Sequence, residues 1–134
     1  MLTESQKAML PKDKHDDPAV AHISTLPESS IAPLIPELLT WLQDGNWPVA
    51  RPVKTLLLSY PHLVVEPVRE VLLGDDDEWK DNLLLNIVDE IPREQQLALK
   101  QEVDRIAKNP TKGEKDMDCD ESAKEILKKL ESPD

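Results

Sequence analysis

Aliphatic residues recur along this chain three and four positions apart, the spacing that gathers them on one side of a helix. Seven helices are predicted on that basis. The first spans about 18–26 and carries Val20 and Ile23 inward. The second, about 31–42, has Ser30 placed to cap it and an inner stripe of Ile31, Leu34, Ile35, Leu38, Leu39 and Leu42. Pro33 suits a first turn, whereas Pro36 should either kink this helix or mark its true start, and Gly45 ends it. Asn46 is expected to cap the third helix, with Pro48 in its first turn, Pro52 as a bend, and Val49, Val53, Leu56 and Leu57 inside. The fourth runs over about 63–73 and stops at Gly74. Asp76 or Asp77 caps the fifth, whose stripe is Trp79, Leu83, Leu84, Ile87, Val88 and Ile91. The sixth covers about 93–108 before the stop signal Asn109-Pro110, and the last uses Ala123, Ile126, Leu127 and Leu130. Residues 111–119 are polar and read as a mobile loop. No stretch alternates long enough to suggest a strand.

Short connections favour antiparallel neighbours. Similar acidic openings recur at Asp16-Asp17-Pro18, at 44–49, at 76–79 and at Asp118-Cys119-Asp120, and Trp79 follows Trp47 by 32 positions. That interval suits a repeating two-helix unit, with a plain helical bundle as the alternative. The length of 134 residues fits one domain, with 1–9 and 131–134 expected as flexible tails.

Composition sharpens this picture. The chain has no Phe, three Trp and one Tyr, so its core must be almost wholly aliphatic. Charged residues make up 32%, and 16 basic against 27 acidic side chains leave a net charge of −11. Such a balance lacks the cationic patch that nucleic-acid binding requires, and it favours solubility or a basic protein partner. A single cysteine, Cys119, excludes an internal disulfide. No secretory leader or membrane-length apolar run is evident, so a cytoplasmic protein is expected.

Three segments, LPKDKHD at 10–16, DGNWPVA at 44–50 and GDDDEWK at 74–80, resemble a bacterial family of HEAT-like domains of unknown function over roughly residues 9–130. The resemblance implies an all-α, HEAT-like superhelix of stacked antiparallel helix pairs and brings no established activity. A role held to belong to some relatives, immunity against secreted toxins, is what it adds as a functional expectation.

The residues themselves offer few sites. Asp13, His15 and Asp16 make a poor zinc set, and Asp75 to Glu78 lack the alternating ligands of a calcium loop, so helix capping explains both clusters more simply. Trp47 and Trp79 could form a recognition ridge or cover the edge of the core. Cys119 sits among Asp116, Asp118, Asp120 and Glu121, which disfavours a thiolate nucleophile, and His22 and His62 lack Ser or Cys neighbours. Neither a cofactor nor a metal is called for. The expectation is a non-enzymatic protein-interaction domain binding through Asp44, Trp47, Arg51, Asp76, Asp77 and Trp79, with Asp13, His15 and Asp16 as further candidates. The alternative is a small metal-dependent or small-molecule enzyme that uses the Asp/His clusters. DNA repair of the HEAT-like kind is disfavoured by charge.

Overall fold

A computed structural model describes residues 2–131, and every regular element among them is helical. The α-helices are α1 Glu4–Met9, α2 Asp17–Ile23, α3 Glu28–Ile31, α4 Ile35–Leu39, α5 Ala50–Leu58, α6 Pro61–Leu72, α7 Asp77–Leu83, α8 Arg93–Ala98, α9 Lys100–Lys108, α10 Lys112–Asp116 and α11 Cys119–Glu131. Two short 3-10 segments, Ala32–Leu34 and Thr40–Leu42, flank α4, and a π-helical turn, Leu84–Val88, continues α7. Among the described residues no helix is long and apolar enough to cross a membrane.

The pieces are more numerous than the seven predicted, and each discrepancy has a local cause. The expected second helix is two, because Pro33 and Pro36, which lack an N–H, fall at the starts of the 3-10 segment and of α4. Pro36 thus marks a helix start. Ser30 lies inside α3, which opens at Pro27, and caps nothing. Asn46 is not a cap either: α5 begins at Ala50, and Pro52 occupies its first turn instead of bending it. The expected sixth helix breaks at Leu99, whose backbone (φ −100°, ψ 4°) leaves the helical region.

Two segments read as loop or tail contain helices. Thr3 and Gln6 form a reciprocal capping box, Gln6 N–H on Thr3 Oγ1 at 3.1 Å and Thr3 N–H on Gln6 Oε1 at 2.8 Å, and so start α1 within the expected tail. Thr111 and Glu114 do the same for α10 within the expected loop. At the other end Glu131 closes α11, and the rest of that expected tail, 132–134, lies outside the described residues.

Packing follows the aliphatic stripes. Val103, Ile106 and Ala107 of α9 lie along α11, which offers Ala123, Ile126, Leu127 and Leu130 and also meets the π turn. The helix α2 packs on α5, and α4 packs on α6, with Ile23, Leu38, Leu57 and Val68 fully buried. The π turn, closed by Asp89 N–H on the Leu84 carbonyl at 3.0 Å, points Leu84, Ile87 and Val88 into this core. Its end is satisfied by the buried Gln96 amide, which donates to the Val88 carbonyl at 2.8 Å. Unpaired polar atoms in such a place are costly, and no buried side-chain N or O among the described residues lacks a partner.

Between α10 and α11 the backbone turns at Asp118, whose φ of 61° is the one left-handed value among the described non-glycine residues. Aspartate tolerates this region better than most residues, and glycine tolerates it best. Asp118→Gly is therefore expected to hold or raise stability by about 0.5 kcal/mol, and Asp118→Val to lower it by about 1–2 kcal/mol. Thermal melts of the two variants beside the parent protein would check this, and a better-tolerated valine would contradict it.

Candidate functional site

The three singled-out segments are each fixed by local backbone chemistry before any binding is considered. In the first, Asp13 Oδ1 accepts the His15 N–H at 2.8 Å, while Asp16 takes the Lys12 N–H at 2.9 Å and caps α2 through the Ala19 N–H at 3.3 Å. Asp13 and His15 are exposed. In the second, Asp44 Oδ1 accepts the Asn46 N–H at 2.8 Å. The two segments meet where the Val49 N–H donates to the Lys14 carbonyl at 2.9 Å. In the third, Asp76 caps α7 by accepting the Trp79 N–H at 3.1 Å.

The two tryptophans reach neighbouring parts of one segment. Trp47 packs edge-on against Trp41, with ring centroids 5.7 Å apart, whereas the Trp79 indole N–H donates to the Leu39 carbonyl at 3.0 Å. Both rings are half-buried against the aliphatic core. Arg51 is exposed and lies in a different groove, beside Lys54, Asn86 and Glu90. Of the residues expected to bind, Asp76 and Trp79 come together at one cleft, joined there by Asp75 of the same acidic run. Among the described residues no three His, Cys, Asp or Glu side chains form a group able to hold a metal ion.

That cleft has a volume of about 440 Å³ and lies between α4, α6 and the start of α7. Pro36, Leu39, Pro67, Val71 and Trp79 give it a mainly apolar lining, and Glu66, Glu70, Asp75 and Asp76 stand around it. Trp79 is positioned twice, by the Asp76 cap at its backbone and by Leu39 at its ring, so the largest apolar wall is rigid. Pro67, in the middle of α6, presents a ring where other residues would present a flexible side chain. Two of the four carboxylates are engaged: Glu66 pairs with the Arg69 guanidinium and Asp76 caps α7. Arg69 also bonds Glu102 at 2.9 Å and the Ala98 carbonyl, tying α6 to α8 and α9 behind the cleft. Glu70 and Asp75 have no partner among the described residues.

Asp77 faces a different environment. Its carboxylate lies 3.1 Å from Lys80 Nζ, and that ammonium bonds Glu114 at 2.8 Å. Glu114 is fully buried and accepts four hydrogen bonds: Arg105 at 2.6 and 2.7 Å, Lys80, and the Thr111 N–H at 2.8 Å. Burial alone would raise the Glu114 pKa, but the hydrogen bonds from Arg105 and Lys80 bring it from the ordinary 4.5 to about 2. Gly113 lets this network close, because a Cβ there would come within 2.1 Å of Asp77 Oδ2. The network binds α10 to α7 and α9, so Asp77 stabilises the fold next to the cleft and does not line it.

A family model described as "Domain of unknown function (DUF5071)" matches residues 9–127. The chain belongs to this family. The matched span takes in the cleft, the buried network and all three segments, so these features lie within the DUF5071 domain itself. No curated protein matches the chain.

Sequence reasoning weighed Asp75 within its acidic run but missed Glu70, and the readable signal was modest: Glu66 and Glu70 lie four apart, on one side of α6. A thiolate at Cys119 is disfavoured, as expected, but chiefly by burial and then by carboxylates other than the sequence neighbours. Its thiol is pushed up to about 12, first by burial and then by Asp81 and Asp77, which are distant in sequence, and its S–H contacts the Asp77 carbonyl at 3.2 Å.

Proposed function

We propose that this DUF5071 chain is a non-enzymatic protein-interaction domain of the cytoplasm, built as a HEAT-like stack of helix pairs and recognising a basic partner. Neutralisation of a cationic toxin is the form of this activity that the resemblance of the three segments suggests. One observation carries the reading: a rigid, tryptophan-walled apolar cleft ringed by carboxylates on a chain of net charge −11. Interfaces of this kind anchor through aromatic residues and gain rate and specificity from complementary charge.

The reading is tested by using the chain as bait in an extract of its source cells. The recovered protein is then purified and its affinity measured by calorimetry at about 50 mM and about 500 mM salt. Exposed charge pairs are screened within roughly 10 Å at 0.1 M salt, so affinity is expected to fall about tenfold across that range. A partner that is acidic, or a complex indifferent to salt, would overturn the proposal.

A further inference from the structure

We infer that the cleft between α4, α6 and α7 receives a single lysine or arginine side chain from an extended segment of the partner, its stem on Trp79 and its charge against Glu70 and Asp75. This inference rests on the interaction reading above and adds to it the place of contact and the identity of the contacting group. The charges at the cleft are unevenly used. Arg69 already answers Glu66, and Asp76 is occupied by the Trp79 N–H, but Glu70 and Asp75 stand unanswered beside apolar wall. An apolar ligand would strip water from both carboxylates with no compensation. A long aliphatic stem ending in one positive charge matches the wall and the rim together.

Other occupants fit less well. Anionic lipid and nucleic acid would be repelled by the rim. A second copy of the chain would bring another charge of −11 to an acidic surface. A free polyamine carries charges every three or four methylenes, so one of its ammonium groups would rest on the Leu39 and Val71 wall. A lysine or arginine side chain carries its only charge at the tip. The fixed Trp79 ring makes the wall ready-formed, which lowers the ordering cost of binding.

The test uses the full chain, labelled with nitrogen-15, and a short blocked peptide with the sequence Ser-Gly-Leu-Arg-Leu-Gly-Ser. A second peptide has citrulline, a neutral isostere, in place of arginine. The three tryptophan indole N–H signals report separately, and Trp79→Phe assigns the one at the cleft. The arginine peptide is expected to shift the Trp79 indole saturably below about 1 mM, with citrulline about fivefold weaker. In the double variant Glu70→Gln/Asp75→Asn the two peptides should bind alike. Both positions are exposed and unpaired, so this variant keeps its fold, as unchanged signals from the core would show. Equal binding of the two peptides to the parent chain, or persistent discrimination in the double variant, overturns the inference. Displacement of the peptide by spermidine at equal concentration would overturn the choice of a peptide side chain. A shift confined to the Trp47 indole sinks the cleft assignment but leaves the interaction reading intact, whereas no saturable shift at any indole counts against both.

Discussion

Glu114→Gln is expected to lower the stability of the protein by about 3–5 kcal/mol, seen as an earlier midpoint in urea unfolding. The fully buried carboxylate accepts from two cationic side chains and a backbone N–H, and Lys80 is only 3% exposed. An amide in its place keeps the volume but turns one acceptor into a donor facing other donors, and it leaves the Lys80 ammonium with Asp77 as its only anion. Removing one side of a buried pair costs far more than exchanging the whole pair for apolar groups. The double variant Lys80→Met/Glu114→Leu should therefore recover a large part of the loss of Glu114→Leu alone. Arg105, which is 37% exposed, can turn its charge to water in that background. A cycle of the two single variants and the double would show non-additivity, and strict additivity would contradict the coupling.

The same network sets the acid limit. The folded pKa of Glu114 lies below its unfolded value, so its contribution is complete above about pH 4.5 and disappears as the pH falls toward about 2. A shift of that size corresponds to about 3 kcal/mol. Urea midpoints of the parent protein should drop through this window, and those of Glu114→Gln should be flatter there. On the alkaline side Lys80 has a raised pKa: burial opposes its charge, but the hydrogen bonds it donates to Glu114 and Asp77, with their negative charges, outweigh that effect. Its contribution holds below the ordinary value of 10.5 and is lost as the pH climbs through the raised one. These are two ends of one interaction and do not add.

Trp79→Ala is expected to cost about 2–3 kcal/mol, while Trp79→Phe should cost about 1 kcal/mol. The alanine variant loses the whole half-buried ring against the core and leaves the Leu39 carbonyl without its indole donor; phenylalanine loses the donor and the smaller part of the ring area. Urea titrations of both variants check the order. A phenylalanine variant as unstable as the alanine one would mean that the hydrogen bond, not the ring's area, fastens α7 to α4.

How much could be read from the chain varies by element. Helices whose stripes are uninterrupted, such as α5, α6 and α11, are legible as patterns, and Asp16 and Asp76 are legible as caps. Apolar spacing does not show where a helix breaks and resumes in nearly the same direction, so α8 and α9 read as one rod across Leu99. The two missed helices, α1 and α10, carry almost no buried apolar residue, and a reading led by hydrophobic stripes passes over them. Their signal was of another kind: Thr3-x-x-Gln6 and Thr111-x-x-Glu114, in which side chains and backbone cap one another. At the cleft, Asp76 and Trp79 were legible because they are close in sequence. Their joining to Pro36, Leu39, Pro67 and Glu70 depends on how α4, α6 and α7 lean together, which no local pattern encodes.

The brevity of the rods has a mechanical consequence. The longest described helices, α6 and α11, have 12 and 13 residues, and α3 has only four, lengths at which a lone helix in water is marginal or absent. Helicity in this molecule is thus borrowed from neighbours, so a cut in one connection would melt segments on both sides of it. The walls of the cleft, drawn from three such segments, can exist only while the whole chain holds its shape.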